Sequence, residues 1–195
     1  MHGSPGRLVI VSGPSGAGKS TVVQRLLETC PLPLKLSVSA TTRPPRVGEK
    51  DGVHYHFLTR EEFQRRKAHG EFFECKEVFG QGEWYGTPRS EVLTGLAGGS
   101  WMVLEIDVAG ALAVLEQRPD AITIFIHPGS WEELEKRLRL RGTETDLSRA
   151  RRLHVAREEM ACRDRYQHEV VNDSVDRAVA EICDILQRKG EQPHA

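Results

Sequence analysis

Gly13-Pro14-Ser15-Gly16-Ala17-Gly18-Lys19-Ser20-Thr21 carries the spacing G-x-x-x-x-G-K-[ST], and each residue type in it has a physical use. The glycines let the backbone curl until several N–H groups converge on phosphate oxygens. The helix that starts there adds the positive end of its dipole. Lys19 reaches the terminal phosphates of a nucleoside triphosphate, and the Ser20 hydroxyl is placed to hold Mg²⁺. Binding of a nucleoside triphosphate is the expectation.

A second anion site follows in Ser39-Ala-Thr-Thr-Arg43-Pro-Pro-Arg46. Two arginines three apart, stiffened by Pro44 and Pro45, make a fork suited to a second phosphate. Two facing phosphate sites are what a kinase of a phosphorylated acceptor requires. Further along, Leu104-Glu105-Ile106-Asp107 ends a buried run, and strand alternation points Glu105 and Asp107 to one side. Between Trp131 and Arg141 the charges run from acidic to basic. Pairs at i,i+4 are expected for Glu132–Lys136, Glu133–Arg137 and Glu135–Arg139, while Arg141 has Arg137 as its i−4 neighbour and stays available.

These groups are positioned by an alternation of strands and helices. Arg7–Ser12 reads as a strand buried on both faces, Lys19–Thr29 as a helix and Leu34–Val38 as a second strand. From Ser39 to about Gly99 the texture turns polar and rich in glycine and proline. It holds short strands at Tyr55–Leu58 and Phe72–Cys75 and short helices at Glu61–Ala68 and Arg89–Ala97. Buried texture returns with strand Trp101–Ile106, helix Val108–Glu116 and strand Ala121–Ile126. Charged helices then cover Trp131–Arg141 and Thr145–Arg163, and a short strand at Val170–Val171 and helix Val175–Arg188 close the chain. The class is α/β: a parallel sheet flanked by helices, with an inserted subdomain.

The bulk properties exclude several alternatives. The chain has 195 residues, 27 Lys+Arg against 28 Asp+Glu, and 38% hydrophobic residues. That suits one packed domain and argues against a coat for nucleic acid or anionic lipid. No apolar run is long enough to span a bilayer, and the first residues resemble neither a signal nor a transit peptide. Cys30, Cys75, Cys162 and Cys183 lie far apart in sequence, so reduced thiols in a cytoplasmic protein are expected, two or three of them in the core. His54 and His56 flank Tyr55 on what reads as one strand face, with no third metal ligand in view.

The run from Ser37 to Phe57, S-x-S-x-T-T-R-x-P-R-x-G-E-x-x-G-x-x-Y-x-F, lies between the phosphate loop and a later R-G-T-E-T. It resembles guanylate kinase, and the similarity extends from about Arg7 to Arg188. The resemblance implies a P-loop NTPase-type fold in a single domain spanning 1–195. The core would comprise 7–38, 100–130 and 164–190, the GMP-binding subdomain 39–99 and the helical lid 131–163. It implies direct in-line transfer of the γ-phosphoryl group of ATP to GMP with Mg²⁺, giving ADP and GDP, in purine nucleotide metabolism and GMP recycling. Partners would be ATP and GMP, with dGMP left open, no nucleic acid and no membrane, in a monomer or homodimer.

By position, Arg43, Arg46, Tyr55 and Tyr85 would hold the GMP phosphate, and Ser39, Glu74, Thr87 and Asp107 would read the guanine edge. Guanine presents a ring N–H beside an exocyclic amine, a donor pair that one carboxylate can accept and that adenine lacks. Glu105 joins Asp107 at the acceptor, with the division between base reading and ordering of water around Mg²⁺ left open. Arg137, Arg141 and Arg152 would close over the triphosphate, and Asn172 resembles an adenine-contact turn. The segment around Gln81-Gly82-Glu83 is longer than the usual family spacing. Two rival readings are a scaffold-type binding module, which would lack the intact phosphate loop, and a ribose bisphosphate kinase, which would not need a guanine reader.

Overall fold

The computed structural model describes residues 6–78, 82–140 and 146–192. In chain order the elements are β1 (Leu8–Ser12), α1 (Lys19–Thr29), β2 (Leu34–Leu36), β3 (Ala40–Thr41), β4 (His56–Phe57), α2 (Arg60–Ala68), β5 (Phe72–Val78), β6 (Glu83–Pro88) and α3 (Arg89–Ala97). They continue as β7 (Trp101–Glu105), α4 (Val108–Gln117), β8 (Ile122–His127), α5 (Trp131–Leu140), α6 (Asp146–Ala161), a 3₁₀ turn at Arg163–Arg165, β9 (His168–Val171) and α7 (Val175–Glu191).

Five strands in the order β2-β7-β1-β8-β9 form an all-parallel sheet. Period-two alternation along β1 shows how both faces are covered. Val9 and Val11 pack with Val22 and Leu26 of α1 and Ile182 and Leu186 of α7. Leu8 and Ile10 point the other way, to Val92 of α3 and Ala111 and Val114 of α4. A second sheet, β4-β3-β6-β5, is mostly antiparallel and lies between β2 and α3 in sequence. Its own small core is Ala40, Phe63 and Phe72, with the two phenylalanine rings stacked at 4.6 Å. Leu134 and Leu138 of α5 and Ala156 of α6 make a further cluster.

The parallel sheet and its flanking helices appear where the hydrophobic pattern predicts them. The structure differs in the polar middle region. Strands β3 and β6 were not foreseen, because neither has the apolar texture of a core strand. Strand β2 stops at Leu36 rather than Val38, and β7 stops at Glu105. No cysteine is fully buried: all four are free and of intermediate exposure. Cys30, at the end of α1, and Cys183, on α7, lie side by side with Sγ atoms 2.8 Å apart, a proximity the sequence does not reveal. The H-x-H pattern separates, since His54 Nδ1 accepts the Lys50 amide at 3.0 Å while His56 Nε2 lies 2.9 Å from Glu91. Among the described residues no group of three metal-ligating side chains occurs, and no helix is long and apolar enough to cross a membrane.

Candidate active site

The phosphate loop joins the C-terminal end of β1 to the first turn of α1. Gly13 adopts φ +139°, where a side chain would run into the Ile126 carbonyl oxygen of the neighbouring strand. Gly18 adopts φ +83°, and a Cβ there would stand 2.5 Å from Asn172 Nδ2. Both positions demand glycine for conformation and for space. Asn172 is buried, and its Nδ2 donates to the Ala17 carbonyl at 2.8 Å. The carboxamide that the resemblance directs at adenine is thus engaged with the phosphate loop. Leu138 and Leu134 of α5 cover the loop from outside, 3.1 and 3.5 Å from the point where a Gly16 Cβ would sit.

Lys19 Nζ donates to the carbonyls of Gly13 at 2.7 Å and Pro14 at 3.1 Å. Ser20 Oγ donates to Glu105 Oε1 at 2.5 Å. A cavity of about 450 Å³ opens here, and Ser15, Lys19, Glu105, Asp107, Arg152 and Glu159 are among its lining residues. Glu159, on α6, accepts the Ser15 backbone N–H at 3.3 Å. Its carboxyl group is pushed up by burial, against the pull of Lys19. Sequence reasoning missed Glu159. The signal was its spacing of seven from Arg152, which puts the two on one side of a helix.

On the acceptor side Arg43 is buried with a guanidinium bonded on every edge. Its Nη1 and Nη2 donate to the two oxygens of Glu49 at 2.8 and 3.0 Å, and its Nε donates to the Tyr85 hydroxyl at 3.0 Å. The Tyr55 ring lies over it, 5.3 Å from centroid to guanidinium carbon. Bidentate pairing with Arg43, then the Arg46 amide, holds Glu49 down at about 2. Arg46 itself is exposed. Glu49, which sequence reasoning did not single out, takes the bidentate position on Arg43 and also accepts the Arg46 amide.

Strands β5 and β6 supply the floor of the acceptor cavity. Lys76 lies across from Tyr85 and Cys75 across from Gly86. The cavity, about 200 Å³, is lined by Ser39, Tyr55, Glu74, Lys76, Tyr85, Glu105 and Asp107, among others. Thr87 is fully buried and donates its hydroxyl to Glu74 Oε1 at 2.7 Å. Burial pushes Glu74 up to about 7, and Thr87 offsets only part of this. Asp107 caps α4 by accepting the Gly110 N–H at 2.7 Å, and its other oxygen pairs with Lys76 Nζ at 2.8 Å. Because β7 ends at Glu105, alternation does not govern Asp107. Glu105 turns to Ser20 and Asp107 to α4, yet both line both cavities.

Of the arginines expected over the triphosphate, Arg137 is half-buried and donates to Glu133 at 2.9 Å and to the Asn172 carbonyl at 3.1 Å. Arg152 lines the larger cavity together with Arg151. Arg141 lies outside the described residues. The Glu135–Arg139 pair forms at 2.6 Å, whereas Lys136 approaches Glu133, at 3.9 Å, rather than Glu132.

The guanylate kinase family model matches residues 5–189 of this chain. The chain belongs to the guanylate kinase family. It is 60% identical over 190 residues to a guanylate kinase of Rhodopirellula baltica, covering 95% of this chain and 90% of that one. It is 50% identical over 181 residues to a guanylate kinase of Clostridium perfringens, covering 93% and 82%. The crystal structure of guanylate kinase from Anaplasma phagocytophilum superposes with a TM-score of 0.76 at 34% identity, over 97% of this chain and 88% of that one. As a guanylate kinase this protein is an enzyme, and membership carries the ATP-dependent phosphorylation of GMP. The two adjoining cavities correspond in number to its two nucleotide substrates.

Proposed function

We propose that the chain transfers the γ-phosphoryl group of ATP directly to GMP, with ATP on the phosphate-loop side and GMP in the cavity floored by β5 and β6. The observation that carries this reading is the junction of the two cavities. They share Lys76, Glu105, Ile106 and Asp107, so donor and acceptor meet at the C-terminal end of β7, where ligands bind in open α/β sheets.

The roles rest on the resemblance, carried over by position, and on the contacts described above. Lys19 exchanges its bonds to the Gly13 and Pro14 carbonyls for the terminal phosphates of ATP. Arg43 exchanges Glu49 for the GMP phosphate, joined by Tyr85 and Tyr55 and, once ordered by the ligand, by Arg46. Glu74, ionised, accepts the guanine ring N–H and amine, with Thr87 orienting it and Ser39 and Asp107 completing the edge. A GMP phosphate oxygen attacks the γ-phosphorus in line with the bond to ADP, which leaves as that bond breaks. Arg137, Arg141 and Arg152 neutralise the transferring group and exclude water as the lid closes.

The Ser20 hydroxyl and the Glu105 carboxylate, 2.5 Å apart beside the loop, are hard oxygen donors that fit a magnesium ion held mainly by phosphates and water. When bound, that ion supplies charge neutralisation on the β- and γ-phosphates.

A coupled ADP-release assay with ATP and magnesium, offering GMP, AMP, UMP and ribose 1,5-bisphosphate separately, tests the reading. Turnover with GMP alone is expected. Equal turnover with AMP or the bisphosphate would remove Glu74, Thr87 and Asp107 as base readers.

A further inference from the structure

We propose that Lys76 is a positioning residue of the acceptor cavity, a counter-ion anchored on Asp107 that lets Glu74 stand as a carboxylate facing the base of the acceptor nucleotide. The inference rests on the GMP reading above and adds a residue to it.

Two acidic groups converge on the N-terminus of α4. A methyl group at Gly110 would stand 3.1 Å from Glu74 Oε2 and 3.2 Å from Asp107 Oδ1, so both carboxylates press against the same point. Like charges this close suppress one another's ionisation. Glu105 lines the same cavity and adds a third carboxylate. Tyr55 and Tyr85 are the other titratable groups on its wall, and Glu159 of α6 acts on Lys76 from the donor side.

Against these, Lys76 is the one cationic side chain lining the acceptor cavity among the described residues, and it lines the donor cavity as well. Its ammonium group is 2.8 Å from Asp107 Oδ2. Two positions along β5 from Glu74 and across from Tyr85, it is held by the strand rather than by a long loop. Burial draws the ammonium down, and its bond to Asp107 more than compensates, so it stays charged through the neutral range.

The consequence is specific to the base. A guanine edge offers only donors to Glu74, so it is read by the ionised carboxylate and not by the acid. Removing Lys76 leaves Glu74 facing Asp107 with no cationic side chain lining the acceptor cavity among the described residues, the nearest cations being Lys19, Arg151 and Arg152 of the donor cavity. Glu74 then holds its proton to higher pH, and GMP binding at neutral pH weakens through Glu74, with a much smaller effect on ATP, whose cavity Lys76 lines beside Lys19, Arg151 and Arg152.

The test compares wild type with Lys76→Met, which keeps the stem and removes the charge, and with Lys76→Arg, which keeps the charge. For Lys76→Met the KM for GMP at pH 7 is expected to rise about tenfold, with the KM for ATP and kcat each moving about twofold or less. The KM ratio of variant to wild type should narrow towards twofold by pH 9. Titration of the GMP phosphate is common to both proteins and cancels in that ratio. Lys76→Arg should recover most of the loss.

A second readout needs no nucleotide. The side-chain carboxyl ¹³C resonance of Glu74, assigned by its loss in Glu74→Gln, should titrate near neutral pH in wild type and about 1.3 pH units higher in Lys76→Met, the rise that a tenfold KM change at pH 7 requires. A pH-independent KM ratio, a fall in kcat with KM unchanged, or an unmoved Glu74 titration would each overturn the proposal. Absence of GMP turnover by wild type would instead overturn the GMP reading, and the carboxyl titration would still decide whether Lys76 governs Glu74.

Discussion

Glu74 shows how a single residue can serve function at the expense of stability. Its carboxyl group titrates at about 7 rather than 4.5 because burial opposes the charge. The folded state therefore holds the proton more tightly than the unfolded chain does. Stability contributed by the protonated group is full below about 4.5 and is lost as pH rises through about 7. Glu74→Gln should accordingly raise stability at pH 8 by roughly 1–3 kcal/mol in denaturant titration, with little change at pH 4. The same substitution should raise the KM for GMP, because an amide sets an NH2 donor against one of the two guanine donors where the carboxylate offers an acceptor oxygen to each. Lys19 and Arg43 separate along the other axis of the reaction. Lys19→Ala should lower kcat by about 10²–10³-fold or more in the ADP-release assay. Arg43→Ala should raise the KM for GMP about 10- to 100-fold, with the KM for ATP little changed.

The junction of β1 and α1 is rigid because other elements leave it no room. Gly18 opens α1 with φ +83° and no side-chain cap, and Asn172, beyond the end of β9, fills the space a side chain would need. From the other side α5 sets Leu134 and Leu138 over Gly16. Gly18→Ala therefore meets both a backbone penalty and a steric one. It should destabilise the protein by about 2 kcal/mol or more and weaken ATP binding in calorimetry. Adding Asn172→Ala removes the clash but leaves the backbone penalty and strips Ala17 of its hydrogen-bond donor, so recovery should be incomplete. At the acceptor side the decisive element is the β5–β6 ribbon, which brings Glu74, Lys76 and Tyr85 to one cavity although they span two strands, and sets the buried Thr87 hydroxyl on Glu74.

Across the molecule, the apolar clusters are divided in a way that permits relative motion. The two faces of the parallel sheet form the main core, while the four-stranded sheet and the α5–α6 pair each pack around a small cluster of their own. The donor cavity is bounded by α6 on one side and β7 on the other, with Glu159 resting on the Ser15 amide where a phosphate would go. In the proposed reading nucleotide displaces that carboxylate, and Arg137 of α5 and Arg152 of α6 then have a charge to close upon. Small-angle scattering should show the radius of gyration contracting with GMP and a non-hydrolysable ATP analogue together, by more than with either alone. An unchanged radius would refute closure.

Much of the architecture was legible in the residues, because parallel strands buried on both faces must be apolar and the phosphate loop must carry its glycines in order. The bounds of α1 and α3 follow directly from the sequence, and Lys19, Arg43, Glu74 and Asp107 could be named from spacing and resemblance. The polar middle region was less readable: β3 and β6 owe their existence to pairing with each other and with β4 and β5, which no local pattern encodes. Only the tertiary structure decided which charges face one another. It set Glu49 on Arg43, Glu159 on the phosphate loop, Lys76 on Asp107 and Cys30 beside Cys183. Residue types and short periods determine which elements form and which chemistry is available. Charge partners come from distant elements, and they are settled only when packing fixes the distances between them.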